Sequence, residues 1–467
     1  MIFHRHITRS GYMMVSVAML TVIAGSFSEE VYSQIARFAA RDPGVRTGSA
    51  SAGAMLPDLT PSEKQAFEVG LEAFQEAQSV QGTFPDTEAG LGPRFNLDSC
   101  AGCHINPDIG GTSPAINPQV EMAKKEGANN EVPSFIKKDG PIREARFKFN
   151  QDGTPDGGVH ALFTITGRDD APGCSIRQPD FRAAVARQNV VFRIPTPLFG
   201  AGLIEAIDDD ALLANMQAHS ATKQSLGIRG RANKLTGRPN TSGNDGTITR
   251  FGWKAQNKSL EIFSGEAYNV EQGVTSEMFP QERDEVPACR FNPTPESPTH
   301  FDATDPREVP SDVVRFAVFM RFLAPPTPAP DTDTIVRGRR LFGEVGCAMC
   351  HTPTLHTGKS SVGALGDKDV NLYSDLALHN MGQGLADDVS QGNAAGDEFR
   401  TAPLWGLGKR IFFLHDGRTK DLLEAIQAHV GFGGGQYVPS EANQVVGQFN
   451  RLNEIEKQHL LNFLRAL

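Results

Sequence analysis

The chain has 467 residues, of which 39% are hydrophobic and 21% charged, and its net charge is −10. That length allows about two or three domains and a full hydrophobic core, and the composition excludes a disordered tail protein. An acidic balance with no long basic run excludes nucleic acid as the main partner, while 47 glycines and 30 prolines predict much loop and only moderate helix.

In chain order, the first segment reads as an export signal. Arg5 and Arg9 precede an apolar run from Met13 to Ala24, and small residues follow at Gly25, Ser26, Ser28 and Ser33. Residues 1–33 therefore read as a signal peptide, with no membrane span in the mature chain and a periplasmic destination. The first predicted helix opens at Thr60-Pro61-Ser62-Glu63, an N-cap, a first-position proline and a capping glutamate. Phe67, Leu71 and Phe74 then recur on one helical face. Weak strand patterns follow at 145–149, 158–166 and 190–194. The run from Ala324 to Asp333 is Pro-rich and reads as a semi-rigid linker, 324–333. It divides an N-terminal unit, 56–323, from a C-terminal unit, 334–467. A helix begins the second unit at Ile335, Val336, Leu341 and Phe342. Another ends the chain, capped by Asn453 and Glu456. A helix before the motif and a helix at the C-terminus are the pair that cross in cytochrome c folds.

The six cysteines carry the chemistry. Cys100-Ala-Gly-Cys103-His104 and Cys347-Ala-Met-Cys350-His351 are two copies of C-x-x-C-H. Two thiols one short turn apart can add to the two vinyl groups of one porphyrin, with the next histidine under the iron. A four-thiolate zinc ribbon would leave both histidines unexplained. A thioredoxin-like redox pair would need a βαβ unit that the pattern lacks. Cys174 and Cys289 lie outside any motif and, in an oxidising compartment, are expected to form a disulfide. The two units share more than the motif, since Gly70-Leu-Glu-Ala-Phe74 aligns with Gly338-Arg-Arg-Leu-Phe342. The first copy of this module carries a 21-residue insertion between its Phe and its first Cys. The expected fold is mainly α: two cytochrome c-like haem domains, the N-terminal one enlarged by loop-rich insertions with a few β-strands.

Further segments make a resemblance specific: Gly90 to Asn96, Arg250 to Ala255, Tyr373 to Gly382, Phe399 to Gly406 and Phe413 to Arg418. With these the chain resembles the di-haem oxidoreductases, thiol oxidoreductase-like proteins. They are related to bacterial di-haem cytochrome c peroxidases and to the methylamine dehydrogenase maturation enzyme. The resemblance implies two covalent haem c groups and peroxide reduction at the N-terminal haem. Electrons would enter through the C-terminal haem from a small redox protein, a cytochrome c or a cupredoxin. It implies Glu271 as the proton-handling carboxyl, with Glu266 as its neighbour, although a glutamine of the relatives is replaced by Phe263. It also implies His429 as sixth ligand of the second iron, where the relatives carry methionine, with Met381 as the rival. His379 and His415 read as supporting groups. No histidine follows His104 closely, so the first iron reads as open, or capped by His160, Met122 or Met278. Trp253 and Lys254 would pack on a haem, and Trp405 is placed to lie between the two. The relatives carry calcium between their haems, and no oxygen-ligand cluster in this sequence assigns it. Two other functions fit the same motifs: a non-catalytic electron-transfer cytochrome, and a maturation-type oxidase acting on a protein partner.

Overall fold

A computed structural model describes residues 39–48, 52–234, 248–284 and 286–467. The segment that reads as a signal peptide, 1–33, lies outside them. Helices carry the core, and the strands of the described residues pair off in six two-stranded ribbons. No helix among these residues is long and apolar enough to cross a membrane.

Helix α1 (Pro61–Gln75) starts on the expected capping box, the Thr60 hydroxyl accepting from the Glu63 amide and the Glu63 carboxylate accepting from the Thr60 amide. It packs against α2 (Asp312–Phe322), and α3 (Asp333–Glu344) packs against α4 (Glu454–Ala466). Each crossing is made at the glycine that the two halves share. A Cβ on Gly70 would lie 2.5 Å from the Arg315 carbonyl oxygen, and one on Gly338 would lie 2.0 Å from that of His459. Only a residue without a side chain lets the backbones approach so closely. Phe74 and Phe342 follow each glycine by four residues, one helical turn on, and point at the histidine of their own motif. The ring centroids are 6.1 Å apart for Phe74–His104 and 6.3 Å for Phe342–His351.

The strand patterns form only short pieces. In the N-terminal half β1 (Glu144–Phe147) pairs antiparallel with β2 (Val190–Arg193), with Glu144 opposite Arg193. The long pattern over 158–166 yields only Phe163–Thr164, paired with Arg94–Phe95. Beside this ribbon lies a separate core containing Phe95, Leu162, Phe163 and a disulfide between Cys174 and Cys289. The bridge spans 115 residues. Cys174→Ser is expected to lower unfolding free energy by about 2–5 kcal/mol without changing haem content, as read by denaturant melts and absorbance. Unchanged stability would mean that the bridge does not form.

The Pro-rich segment is held from both sides. The Ala324 amide donates to the Ala54 carbonyl, and the Ala329 amide donates to that of Ala466 at 2.7 Å. Residues 40–46 pack on the C-terminal helix, where Asp42 meets Arg465 at 2.6 Å.

Candidate functional site

The two motifs open onto two different cavities. Cys100, Cys103 and His104 line one of about 160 Å³, and Cys347, Cys350 and His351 line one of about 240 Å³. A small void of about 30 Å³ lies between them and shares wall residues with each. Cys100–Cys103 form a single helical turn capped by the Ser99 hydroxyl, and Cys347–Met349 form a 3₁₀ turn. Both turns hold their thiols on one side, toward the cavity. Burial pushes the Cys100 and Cys347 thiols up to about 12, so they stay neutral. The four thiols fall into two separate pairs. Among the described residues the only convergence of three His, Cys, Asp or Glu ligand atoms is Cys350, Asp375 and His379. A four-thiolate zinc site is thereby excluded.

Three histidines face these cavities in one tautomer. His104 Nδ1 meets the Gly111 carbonyl at 3.0 Å, His351 Nδ1 meets that of Tyr373 at 3.0 Å, and His429 Nδ1 meets that of Ala425 at 2.7 Å. A carbonyl can only accept, so Nδ1 carries the proton and Nε2 keeps its lone pair. Burial lowers all three from the ordinary histidine value, His104 and His351 to about 4, so each is neutral at pH 7. His429 contributes to the lowering of His351, which places the two rings near each other in the larger cavity. A neutral imidazole oriented through Nδ1 is the form in which histidine binds a metal. With paired thiols and walls such as Phe342, Phe413, Phe449 and Leu464, this donor set fits a haem in each cavity.

The smaller cavity differs in its polar wall. Glu144 and Arg146 stand two residues apart on β1 and so share a face, and Arg193 lies opposite Glu144 on β2. All three line this cavity with Glu271, which sits in a π-helical turn, Tyr268–Gln272, ending the helix that begins at Leu260. The wider turn displaces this residue from the regular helical register. Asn96 Nδ2 donates to Glu271 Oε2 at 2.7 Å, and the Asn96 amide donates to the Glu271 carbonyl at 2.7 Å. Burial raises the Glu271 carboxyl well above the ordinary range, and the adjacent Glu144 raises it further. Burial acts on Glu144 as well, but the Arg146 and Arg193 guanidiniums outweigh it and hold that carboxyl low. Within the pair, Glu271 is therefore the carboxyl that favours keeping its proton and Glu144 the one that favours ionisation.

His104 is the only histidine that lines this smaller cavity among the described residues. His160 instead pairs with Asp156 at 2.8 Å and stacks on Phe147. Met122 is buried in the disulfide-bearing core, and Met278 packs beside Gly265. Glu266 does line the cavity and accepts from Asn257. Phe263 is also on the wall, stacked on Phe251. In the larger cavity Met381 stands on the wall together with His429. Both ring nitrogens of His379 are taken by carboxylates, Glu441 at 2.7 Å and Asp375 at 3.0 Å, which leaves no lone pair for a metal. His415 stacks on Phe399 at 4.2 Å.

Trp253, rather than Trp405, borders both motif-bearing cavities and the void between them, its Nε1 donating to the Ile194 carbonyl at 2.9 Å. Trp405 lines only the void, against Gly200. Lys254 lines neither of the two motif-bearing cavities nor the void. It is buried on Asp387 at 3.0 Å and over the Phe399 ring at 4.0 Å. Glu144, Arg146 and Arg193 are the site residues that reading the sequence missed. The one signal for them was the charged alternation Glu144-x-Arg146 in a strand pattern.

A search of curated proteins finds no match to this chain. Among solved structures, the chain is similar to Kuenenia stuttgartiensis hydrazine synthase pressurized with xenon. Identity is 13%, the TM-score 0.35, and the match covers 91% of this chain and 97% of that one. It is similar to the diheme peroxidase BthA from Burkholderia thailandensis at 15% identity and TM-score 0.29, covering 51% of this chain and 72% of that one. It is likewise similar to a MauG-like protein associated with microbial copper homeostasis, at 17% identity and TM-score 0.29, covering 58% and 90%. Likenesses this loose carry no argument about function. The family match carries more, because it spans residues 144–467 and so contains the second motif, His429 and the Glu144–Glu271 pair. On that match the chain belongs to the family described as "Di-haem oxidoreductase, putative peroxidase".

Proposed function

We propose that this chain is an exported di-haem c oxidoreductase that reduces hydrogen peroxide at the N-terminal cavity, with electrons entering through the C-terminal one. The observation that carries the reading is the asymmetry of the two cavities. The C-terminal cavity presents two imidazoles held through Nδ1 by a backbone carbonyl, His351 and His429, whereas the N-terminal one presents His104 alone, with the Glu144–Glu271 pair on its wall. An iron held by two protein ligands suits electron transfer, and one with a free position suits a small-molecule oxidant.

In this reading Cys100, Cys103 and His104 hold one haem, and Cys347, Cys350 and His351 hold the other. The two halves, 56–323 and 334–467, are then cytochrome c-like haem domains. The first motif lies upstream of the family match, and the shared Gly–Phe–His arrangement supports its equivalence to the second. When bound, a haem held by Cys100, Cys103 and His104 would supply the electrons for cleaving the peroxide O–O bond. Glu271 would give the proton on its carboxyl to the departing peroxide oxygen and then take one back from the other oxygen. Glu144 keeps that proton on Glu271 by staying ionised, and Asn96 orients the carboxyl. Arg146 and Arg193 hold positive charge beside the reacting oxygens. Trp253 offers an aromatic path between the cavities. The donor would be a small redox protein, a cytochrome c or a cupredoxin, met in the periplasm.

The experiment is a haem count with a spin-state assay on the purified chain. Pyridine haemochrome should give two covalent haems per chain, and ferric EPR should give one high-spin and one low-spin signal. A single haem per chain would sink the reading. Two low-spin signals with no peroxide turnover would replace it with a non-catalytic electron-transfer cytochrome.

A further inference from the structure

Two buried arginines have no negative partner among the described residues. Arg400 and Arg410 are 8% and 9% exposed. Every other arginine buried to this depth meets a carboxylate: Arg146 on Glu144, Arg168 on Asp170, Arg193 on Asp387, Arg250 on Asp209 and Arg465 on Asp42. Arg400 donates Nε to the Gly252 carbonyl at 3.0 Å, and Arg410 donates an Nη to that of Pro403 at 2.7 Å. Among the described residues neither forms an ion pair. The two are also close enough to repel, and burial pushes both down to about 10, with Arg410 adding to the effect on Arg400. Two like charges out of water, answered only by carbonyls, are strongly unfavourable unless an anion joins them.

Their position says which anion. Both line the C-terminal cavity and also the small void that leads toward the N-terminal one. Each is anchored to backbone by a nitrogen on one edge, which leaves other N–H groups for a ligand in the cavity. A guanidinium fork matches a carboxylate. We infer that Arg400 and Arg410 form a carboxylate clamp that binds the two propionates of the haem in the C-terminal cavity, where that cavity meets the void. The inference rests on the haem assignment proposed above. It adds a binding role for two residues outside both C-x-x-C-H motifs, and it makes them determinants of one haem's potential.

The test uses the holoprotein, with haem ¹³C-labelled at the propionate carboxyls, and the variants Arg400→Gln, Arg410→Gln and Arg410→Lys. A positive charge beside a haem favours its reduction. Each Gln variant should therefore make reduction of the His429-responsive haem about tenfold less favourable, a fall of 59 mV for one electron, and leave the other haem unchanged. Arg410→Lys should retain most of the potential yet shift the labelled carboxylate band, because the fork is lost. In the wild type, the labelled carboxylates of that haem should stay ionised as pH falls through about 4.3, the unperturbed glutamate value. If every labelled carboxyl protonates there, the clamp is overturned, even where a variant fails to fold. Variants with two haems and both potentials unchanged also overturn it. Fewer than two haems in the wild type would instead overturn the haem assignment itself.

Discussion

Glu271→Gln is expected to slow the reaction with hydrogen peroxide by roughly 10²–10⁴-fold, the usual worth of a positioned acid–base group, and to leave both haem spectra nearly unchanged. The side chain keeps its shape, so the amide can still accept from Asn96 Nδ2 and donate to Glu144. What it loses is a proton that can leave and return. Stopped-flow mixing with peroxide reads the rate, and a variant reacting at the wild-type rate removes Glu271 from proton handling. The same variant has a second signature in stability. Glu271 is held above its ordinary value of 4.5 by burial and then by Glu144. Above about pH 4.5 the unfolded chain releases this proton while the folded chain keeps it, so the folded state binds more protons and loses stability as pH rises. Gln does not titrate. The stability of Glu271→Gln relative to wild type should therefore increase with pH from about 4.5 upward, as read by urea melts. A pH-independent difference would mean that the carboxyl is ionised in the fold.

His429→Ala should act on the other iron. His429 is held by its Nδ1 bond to Ala425, with Nε2 free in the cavity that His351 lines. Alanine removes that donor and puts nothing in its place. One low-spin ferric signal should convert to high-spin in EPR, while the signal assigned to the N-terminal haem stays as it was. Electron entry should slow as well, since an iron with an exchangeable ligand reorganises more on reduction than one held by two side chains. A wild-type spectrum in this variant would transfer the ligand role to Met381, which stands on the same wall. The two substitutions divide the labour between the cavities: one removes a proton without touching a spectrum, the other changes a spectrum without touching the peroxide pocket.

What could be read before folding was contiguous. Each C-x-x-C-H motif is five residues long, and its chemistry depends only on the spacing of neighbours in the chain. The helix caps at Thr60 and Asn453 are equally local, and both form. The aligned Gly70–Phe74 and Gly338–Phe342 segments exposed the repeat because a helix crossing imposes one rule on both copies: a glycine where the backbones touch, then an aromatic ring one turn on against the motif histidine.

Tertiary structure decided whatever needed distant segments to meet. The resemblance named Glu271, but what raises its carboxyl is burial and the Glu144 that β1 brings beside it, while Arg146 and Arg193 hold Glu144 low. Sequence spacing favoured Trp405 between the haems, yet packing put Trp253 on both cavity walls and Trp405 against Gly200. His379 and His429 are the same residue type near the same motif. Only the partners assembled by folding separate them: two carboxylates close both nitrogens of the first, and one carbonyl leaves Nε2 of the second open. Burial and electrostatic pairing are properties of the assembled surroundings, so the C-x-x-C-H motifs were legible in the chain, and the charge states that surround them arose only when it folded.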